Sequence, residues 1–447
     1  MEFYSTNDFN NRQPLHEAVL RSLPSDRGLY MPDKIEPLPE SFWQEWRELS
    51  FAELSSRVAQ HFFRDSLPSE VLEPMVRDAI NFAAPLHKID DRLSVLELFH
   101  GPTLAFKDFG ARFMARLMGY LTREDERTLT VLVATSGDTG GAVASAFYKV
   151  PGTRVVILYP SGKVSALQEK QLTTLGENIT ALEIDGSFDD CQRLVKTAFA
   201  DRVLNESLNL TSANSINISR LLPQSFYYFE AARQLPEGQL PAFVVPSGNF
   251  GNLTAGVLAH QMGLPVASFV AATNVNDVVP RYLADGTYQP RETQATLSNA
   301  MDVGDPSNFA RLLDLYSSEK GLNQRRERAS EAHQAFHAAL TAYCYDDEAT
   351  RQAIRKVWDE YQYAICPHTA IGYLAARQAE AKLSSSAHAI VLATAHPAKF
   401  LPTMESELGE DATPVPERLA CLADKPAESI KMSAEEEPFL EWLRELS

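Results

Sequence analysis

Two glycine-rich segments have the composition of anion-binding loops: TSGDTGGA at 135–142 and PSGNFGN at 246–252. Each directly follows an apolar run and precedes a helical pattern. The start of a helix presents unpaired backbone N–H groups, and glycine lets an anion approach them closely. An ordinary strand-to-helix turn is the alternative for either segment alone. Neither segment has the spacing of a Walker A or G-x-G-x-x-G motif, which argues against nucleotide binding and a P-loop phosphotransferase.

A lysine stands at the start of a predicted helix in the segment HGPTLAFKDFGARF, residues 100–113. Lys107 follows a Gly-Pro turn and lies at the start of the predicted helix. The helix dipole disfavours a positive charge there and lowers the pKa of the lysine. A neutral amine is the form that reacts with a carbonyl group. A solvated surface lysine is the ordinary alternative, and the aromatic neighbours Phe106 and Phe109 favour a functional role.

A third segment, LATAHPAKF at 392–400, ends another apolar run with polar residues. Ligands of open α/β sheets bind at the carboxyl ends of the strands, where this segment would place the Thr394 hydroxyl. We interpret the isolated histidines His100, His368 and His396 as structural residues. A lysine, an anion loop and a hydroxyl at separate strand ends suggest pyridoxal phosphate, which needs a covalent partner, a phosphate site and a group at its ring nitrogen.

The elements that would position these residues alternate between short apolar runs and helical patterns from residue 93 onward. Continuous Val/Ile/Leu runs predict strands buried in parallel sheets at 94–99, 129–135, 154–160, 179–185, 242–247, 266–273 and 388–394. Helices are predicted between them at 106–121, 139–149, 165–175, 187–200 and 252–263. Helical periodicity also covers 306–363, and the acidic tail ends in an amphipathic helix.

This alternation predicts two α/β domains with a ligand crevice between them. Residues 1–92 form a mostly helical N-terminal domain. Residues 93–235 form the first α/β domain, which carries Lys107. Residues 236–447 form the second, which carries the 246–252 loop, a helical insert and the C-terminal helix.

Composition excludes several functions. The 41 Lys and Arg against 59 Asp and Glu give a net charge of −18, so neither nucleic acid nor a membrane surface is an expected partner. The four cysteines are widely spaced, and neither a disulfide framework nor a metal site is expected. The sequence shows no signal-peptide pattern and no apolar run of the roughly 20 residues that span a bilayer, which predicts a cytoplasmic protein.

Segments along nearly the whole chain resemble threonine synthases of the longer bacterial type. They are the YSTN opening, LFHGPTLAFKDFGARF, ATSGDTGGAVASAFY, ILYPSGKVSALQEKQ, SANSINISRL, VPSGNFGNLTAG, AATNVNDVVPRYL, QATLSNAMDVGDPSN and ATAHPAKF. The resemblance implies pyridoxal 5′-phosphate as cofactor and the tryptophan-synthase-β-like fold, fold type II of the enzymes that use it. That fold has two doubly wound α/β domains, here with a helical N-terminal domain.

The resemblance also implies roles for individual residues. Lys107 matches the lysine that forms the Schiff base with the cofactor, and Thr394 matches the hydroxyl that faces the pyridine nitrogen. The loop for the cofactor phosphate is matched by Gly248, Asn249, Phe250, Gly251 and Asn252. The loop for the substrate carboxylate is matched by Ser136, Gly137, Asp138 and Thr139. Asp138 stands where some relatives carry Asn, and we infer no contact between it and the 3′-oxygen of the ring.

The implied reaction converts O-phospho-L-homoserine and water to L-threonine and phosphate, the last step of threonine biosynthesis. Lys107 would carry protons to and from the substrate. The leaving phosphate needs its own anion site, for which the candidates in matching motifs are Arg112, Lys163, Asn214 and Arg220. Each of these four is equally well an ordinary surface residue. The resemblance leaves monomer and homodimer open.

Two other functions share parts of this pattern. A phospholyase would use the same lysine and loops but release 2-oxobutyrate, phosphate and ammonia, and the intact SANSINIS and NAMDVGDPSN segments favour the synthase. A non-catalytic binding protein on the same scaffold would need neither Lys107, nor the glycine loops, nor Thr394.

Overall fold

The computed structural model describes residues 1–317, 320–321 and 329–446. The strands of this part of the chain are β1 (Glu2–Ser5), β2 (Asp8–Pro14), β3 (Tyr30–Pro32), β4 (Leu86–Lys88), β5 (Leu93–Glu97), β6 (Leu129–Ala134), β7 (Thr153–Pro160), β8 (Ile179–Asp185), β9 (Leu210–Ser212), β10 (Leu240–Pro246), β11 (Ser268–Thr273), β12 (Leu340–Cys344), β13 (Ala387–Ala393) and β14 (Ile430–Ser433). They form three sheets.

The two larger sheets are parallel apart from one edge strand. The first has the order β12-β11-β10-β13-β5-β4, in which only β4 is antiparallel to its neighbour. The second has the order β14-β8-β7-β6-β9. Every residue of β6 and β13 is buried, which explains why both strands are continuous apolar runs: each lies inside a sheet covered on both faces.

The helices, numbered in chain order over the described residues, are α1 (Leu15–Arg21), α2 (Glu40–Glu45), α3 (Phe51–Phe63), α4 (Ser69–Ala79), α5 (Lys107–Leu121), α6 (Asp138–Phe147), α7 (Ala166–Thr173), α8 (Phe188–Ala200), α9 (Arg202–Leu208), α10 (Ile218–Leu221), α11 (Phe226–Gln234), α12 (Gly251–Gln261), α13 (Val278–Asp285), α14 (Phe309–Tyr316), α15 (Ala329–Ala339), α16 (Asp347–Tyr361), α17 (Pro367–Ala379), α18 (Leu401–Leu408), α19 (Glu417–Ala420) and α20 (Glu436–Arg444). Short 3-10 helices lie at Leu222–Ser225, Asn299–Met301, Glu380–Lys382 and Pro397–Phe400. Capping boxes begin α3, α7 and α8, where a serine side chain and the residue three positions later satisfy each other's backbone N–H groups.

The predicted strands and helices of the two α/β domains are confirmed. All seven strands and all five helices are present, with ends that differ from the prediction by no more than two residues. The C-terminal amphipathic helix is α20. In the part of the chain that the structure describes, no helix is long and apolar enough to cross a membrane.

The prediction of a mostly helical N-terminal domain omitted an antiparallel sheet of order β2-β1-β3. β2 has the polar sequence DFNNRQP and is largely exposed at the sheet edge, so it shows no apolar alternation. The helical prediction for 306–363 was also wrong at β12, a short edge strand with partly exposed side chains. Residues 318–319 and 322–328 of that prediction lie outside the described residues.

β5 and β14 each pair with a strand of a predicted domain to which they were not assigned. β5 was placed in the 93–235 domain, yet it pairs with β13 in the six-stranded sheet. β14 was placed in the 236–447 domain, yet it pairs with β8 in the five-stranded sheet. Parallel partners are joined by long crossovers, so chain order does not reveal which strands pair. The boundaries of the three domains remain predictions.

The sheet order brings three loops to one edge. β10, β13 and β5 are consecutive and parallel, so the loops that follow them leave the sheet at the same end. Those loops contain residues 248–252, Thr394 and Lys107. The loop after β6, in the other sheet, supplies residues 135–139. This is the edge at which ligands bind in open α/β sheets.

Candidate active site

Lys107 is the first residue of α5 and is half-buried. The turn before it is fastened to the turn that follows β13: Phe106 N–H donates to the Thr394 carbonyl at 2.8 Å, and His396 N–H donates to the Leu104 carbonyl at 3.0 Å. Backbone hydrogen bonds therefore bring the predicted lysine and the predicted hydroxyl residue together.

The charge of Lys107 is disfavoured by its surroundings. Burial lowers the pKa of its amine to about 8, Asp138 opposes that shift, and the positive charges of Arg220 and Lys399 add to it. The helix dipole was the predicted cause of the lowered pKa, whereas in the structure burial of the amine away from water is the principal one. Among the described residues the amine has no hydrogen-bond partner, so it is available to a ligand.

The 135–139 loop is shaped as an anion cradle. Thr135 Oγ1 accepts hydrogen bonds from the N–H groups of Gly137 at 3.0 Å and Gly140 at 2.8 Å. Gly137 has a φ of 136°, which L side chains rarely adopt. Within the described chain, the N–H groups of Ser136, Asp138 and Thr139 donate to no other group, and α6 begins there. This arrangement suits a carboxylate.

The 248–252 loop has the same character. Phe250 is left-handed with a φ of 61°, and α12 begins at the next residue. The N–H groups of 249–252 have no acceptor among the described residues. The side chains of the two asparagines brace the loop instead: Asn252 Nδ2 donates to the Pro246 carbonyl at 2.8 Å, and Asn249 Oδ1 accepts from Ser307 N–H at 3.3 Å. Four backbone donors are thus left for a phosphate.

One short segment joins the two loops. Gly248 lies against Ala300, whose carbonyl oxygen is 2.5 Å from the position that a Cβ on Gly248 would take. Asn299 Nδ2 donates to the Ser136 carbonyl at 3.4 Å, and Ala300 N–H donates to His368 Nε2 at 3.3 Å. Burial lowers the pKa of His368 to about 4, so its ring is neutral and accepts this bond, as expected of a structural histidine.

Of the four candidates for the substrate phosphate, Arg220 lies in the Lys107 cluster. It is buried, and its Nη1 donates to the Ala213 carbonyl while its Nε has no partner in the described part of the chain. It packs on Gly110, which stands three residues after Lys107 and therefore on the same side of α5. Asn214 is close by in sequence, but its Nδ2 donates to the Ala134 carbonyl at 2.9 Å and braces the end of β6.

Arg112, another of the four candidates, is bonded to the end of α4. Arg112 Nε donates to the Ala79 carbonyl at 2.9 Å and its Nη2 donates to the Asp78 carbonyl, so the guanidinium caps the C-terminal end of α4. Lys163 is exposed in the loop after β7, and no described contact joins it to Lys107. The other two histidines are hydrogen-bonded locally: His100 Nε2 lies 2.7 Å from a Glu97 carboxylate oxygen, and His396 Nδ1 accepts from Ala398 N–H at 3.1 Å.

A buried ion pair that was not predicted lies beside Lys107. Lys399 Nζ lies 2.7 Å from Asp138 Oδ1, and the two side chains are 0% and 4% exposed. Lys399 is inside the ATAHPAKF segment, but a lysine is ordinarily a surface residue and nothing in its spacing signals burial. Asp108 was also missed: it accepts hydrogen bonds from Thr103 N–H and Oγ1, and burial raises its pKa to about 6.

These residues fit pyridoxal phosphate. They offer an unpartnered amine, a backbone cradle for a phosphate and a buried threonine hydroxyl at one sheet edge. The family model described as pyridoxal-phosphate-dependent enzyme matches residues 83–395, and the chain is accordingly an enzyme of this fold type II class. Models for the N terminus and the C-terminal part of threonine synthase match residues 2–80 and 369–439. The chain belongs to the threonine synthase family.

Comparison with individual relatives agrees with this assignment. The chain is 46% identical to threonine synthase of Escherichia coli strain K12 over 437 residues, which cover 97% of each protein. The solved structure of threonine synthase from Escherichia coli superimposes with a TM-score of 0.90 at 44% identity, covering all of both chains. The pyridoxal-phosphate-bound threonine synthase of Brucella melitensis superimposes with a TM-score of 0.91 at 35% identity, covering 100% of this chain and 99% of that one. The predictions of fold class, family and cofactor are confirmed.

Proposed function

We propose that the protein is a catalytic threonine synthase, which converts O-phospho-L-homoserine and water to L-threonine and phosphate. The observation that carries the proposal is the convergence of Lys107 with two backbone anion cradles and the unpartnered Nε of Arg220, in a chain of this family. We further propose that the protein acts in the cytoplasm on this small molecule, as a monomer or homodimer, without nucleic-acid or membrane partners.

The cofactor would be held by residues of the six-stranded sheet. The N–H groups of 249–252 would bind its phosphate, Lys107 would bond to it covalently, and the Thr394 hydroxyl would face its ring nitrogen. When bound, pyridoxal phosphate supplies an electron sink that stabilises negative charge on the substrate carbon next to the amino group. The Thr394 side chain is buried and has no acceptor or donor among the described residues, so it is free for this contact.

Lys107 would move the protons of the reaction. With a pKa of about 8, a useful fraction of its amine is neutral near neutral pH, as a general base requires. The amine would take the proton from the amino-bearing carbon of the substrate and return one at the end. A base of ordinary lysine pKa, about 10.4, would be almost wholly protonated under the same conditions.

Two anions of the substrate would be held by different elements. The N–H groups of Ser136, Asp138 and Thr139 would bind its carboxylate, and Arg220 would bind its phosphate through the free Nε. Over the whole reaction the bond between the γ-carbon and the phosphate oxygen breaks, and water adds a hydroxyl to the β-carbon. The β-carbon loses one proton, and the γ-carbon gains one and becomes the methyl group of threonine; the remaining proton of the water leaves with the phosphate.

A phospholyase is the second candidate, because it would share each of these groups. Product analysis separates the two: the cofactor-loaded protein is mixed with O-phospho-L-homoserine and its products are identified by NMR. Threonine and phosphate in equal amounts support the synthase. Phosphate with 2-oxobutyrate instead of threonine identifies a phospholyase, and no turnover at all refutes the substrate.

A further inference from the structure

The Lys399–Asp138 pair joins both large sheets beside Lys107. Lys399 lies in the 3-10 turn after β13, and its ammonium donates to Asp138 Oδ1 at 2.7 Å and to the Thr103 carbonyl at 2.9 Å. Thr103 belongs to the turn that precedes Lys107, and Asp138 is the first residue of α6, after β6. A single fully buried ammonium therefore connects the lysine turn to the loop proposed for the substrate carboxylate.

The hydrogen bonds of Asp138 are unevenly divided between its two oxygens. Oδ1 accepts from Lys399 Nζ and from Gln168 Nε2 at 2.8 Å, whereas Oδ2 has no partner among the described residues. The helix start, the Gln168 amide and two nearby ammonium groups all favour a carboxylate here, and the pKa of Asp138 is held well below its usual range despite burial. Asp138 is thus an anion with one oxygen committed to Lys399 and the other free.

The groups that face one another in this cluster are the cations Lys107, Arg220 and Lys399, the anions Asp108 and Asp138, and the neutral His368. Cys366 also faces Asp138, and burial raises the pKa of its thiol, which keeps it neutral. The charge that Lys107 experiences is therefore set by few groups, of which Lys399 and Asp138 form the one direct ion pair found in the described residues around it.

We propose that Lys399 is a positioning residue for the reaction of Lys107: its ammonium orients the Asp138 carboxylate and balances the negative charge that this carboxylate presents to the Lys107 nitrogen. This inference rests on the proposed function. Lys399 acts through Asp138 and touches none of the reacting groups proposed above. Its value to the enzyme is a fixed local charge, because the ammonium is fully buried and is held by Asp138 and the Thr103 carbonyl.

The test is a pH titration of the visible absorbance of the cofactor-loaded protein, which reports the protonation of the nitrogen of Lys107 without any turnover. Lys399→Met leaves the Asp138 charge unbalanced, so we expect the titration midpoint to rise by about one pH unit. Asp138→Asn leaves the cations unopposed, so we expect the midpoint to fall by about one unit. The double variant restores the balance and should titrate close to the wild type, as should Lys399→Arg.

A purely structural role makes a different prediction. If Lys399 only stabilised the fold, Lys399→Met would have a lower melting temperature and an unchanged titration midpoint. That result would overturn the proposal. If Lys399→Met does not fold, Asp138→Asn and Lys399→Arg test the proposal instead. An unchanged titration midpoint in Asp138→Asn, or a shifted midpoint in Lys399→Arg, also overturns the proposal. The product assay is independent: a wild type with a titrating band but no threonine refutes the proposed function alone.

Discussion

The backbone N–H of Phe106 donates a hydrogen bond to the carbonyl oxygen of Thr394 at 2.8 Å. Ala105, which precedes Phe106, and Ala395, which follows Thr394, form an isolated antiparallel bridge. The turn that ends at Lys107 is therefore held by main-chain bonds to the end of β13, whatever side chain stands at position 107. The Lys107 amine and the Thr394 hydroxyl are therefore positioned by the backbone bridge between the turns that follow β5 and β13.

Replacing Lys107 by alanine should abolish the reaction and leave the fold intact, because the turn is fixed by backbone bonds. We expect activity to fall by roughly a thousandfold or more, since both the covalent partner and the proton carrier are lost. Product formation and far-ultraviolet circular dichroism measure the two effects. The control is Lys149→Ala, which removes an exposed lysine paired with Glu177 and should retain full activity. A folded Lys107→Ala protein that still forms threonine at a tenth of the wild-type rate contradicts the role.

Gly248→Ala should weaken cofactor binding. A Cβ at this position would lie 2.5 Å from the Ala300 carbonyl oxygen and 2.9 Å from Met301 Cα, and neither backbone atom can move without shifting the segment that joins the two loops. We expect a cost of about 2 kcal/mol, or roughly a thirtyfold rise in the cofactor Kd, measured by fluorescence titration of the cofactor-free protein.

The matched control for this variant is Gly119→Ala in α5, where a Cβ would meet only a methyl group of Val150 at 3.3 Å. Alanine is also the better helix former there, so the fold should be little affected. Equal affinities of the two variants for the cofactor would show that the 248–252 loop does not hold it.

Local sequence patterns predicted much of the site. The glycine loops and Thr394 directly follow largely apolar strands, and Lys107 follows β5 after a Gly-Pro turn. A strand-to-helix turn is a local feature that a sequence shows. Because parallel strands end at one edge, it followed that these groups would gather there. In the structure, β10, β13 and β5 bring the 248–252 loop, Thr394 and Lys107 together, and β6 of the other sheet supplies the 135–139 loop.

What the sequence could not show depends on tertiary contacts. Arg112 and Arg220 both lie in matching motifs, but only packing determines that the first caps α4 and the second is buried with a free Nε. The burial of Lys399 has no local signal, because its partner Asp138 is distant in sequence. β2 shows no apolar alternation because its side chains are largely exposed, and β12 is a five-residue edge strand with one buried side chain.

The lowered pKa of Lys107 predicts how the cofactor-free protein takes up pyridoxal phosphate. Only the neutral amine attacks an aldehyde, so the association rate should rise with pH and level off above about 8, since burial lowers the pKa of this amine to about 8. An exposed lysine would continue to gain reactivity up to about 10.4. Stopped-flow absorbance measures the rate. A rate that still climbs steeply above pH 9 means that the amine is not desolvated.

Arg311 should be a major contributor to stability. Its side chain is fully buried and donates to the carbonyls of Tyr30, Ser215 and Ile216 and to Asn308 Oδ1, at distances of 2.7 to 3.3 Å. It thereby ties the N-terminal sheet to the 215–216 turn and the start of α14. Arg311→Met leaves these acceptors buried without a donor, and we expect a loss of roughly 3 kcal/mol or more in the free energy of unfolding by urea.

Arg281→Met is the control for this prediction, because Arg281 is an exposed residue paired with Asp277 on α13. Surface pairs of this kind contribute up to about 1 kcal/mol. A similar small loss for Arg311→Met would mean that water or a neighbouring group satisfies the exposed acceptors after the arginine is removed.

We propose that Lys107 and the two backbone cradles form one site that both eliminates phosphate and adds water. The most direct measurement follows phosphate and threonine together by NMR while the cofactor-loaded protein consumes O-phospho-L-homoserine. We expect one threonine for each phosphate throughout the time course, and neither product with Lys107→Ala. Phosphate released in excess of threonine, with 2-oxobutyrate and ammonia making up the difference, would contradict it.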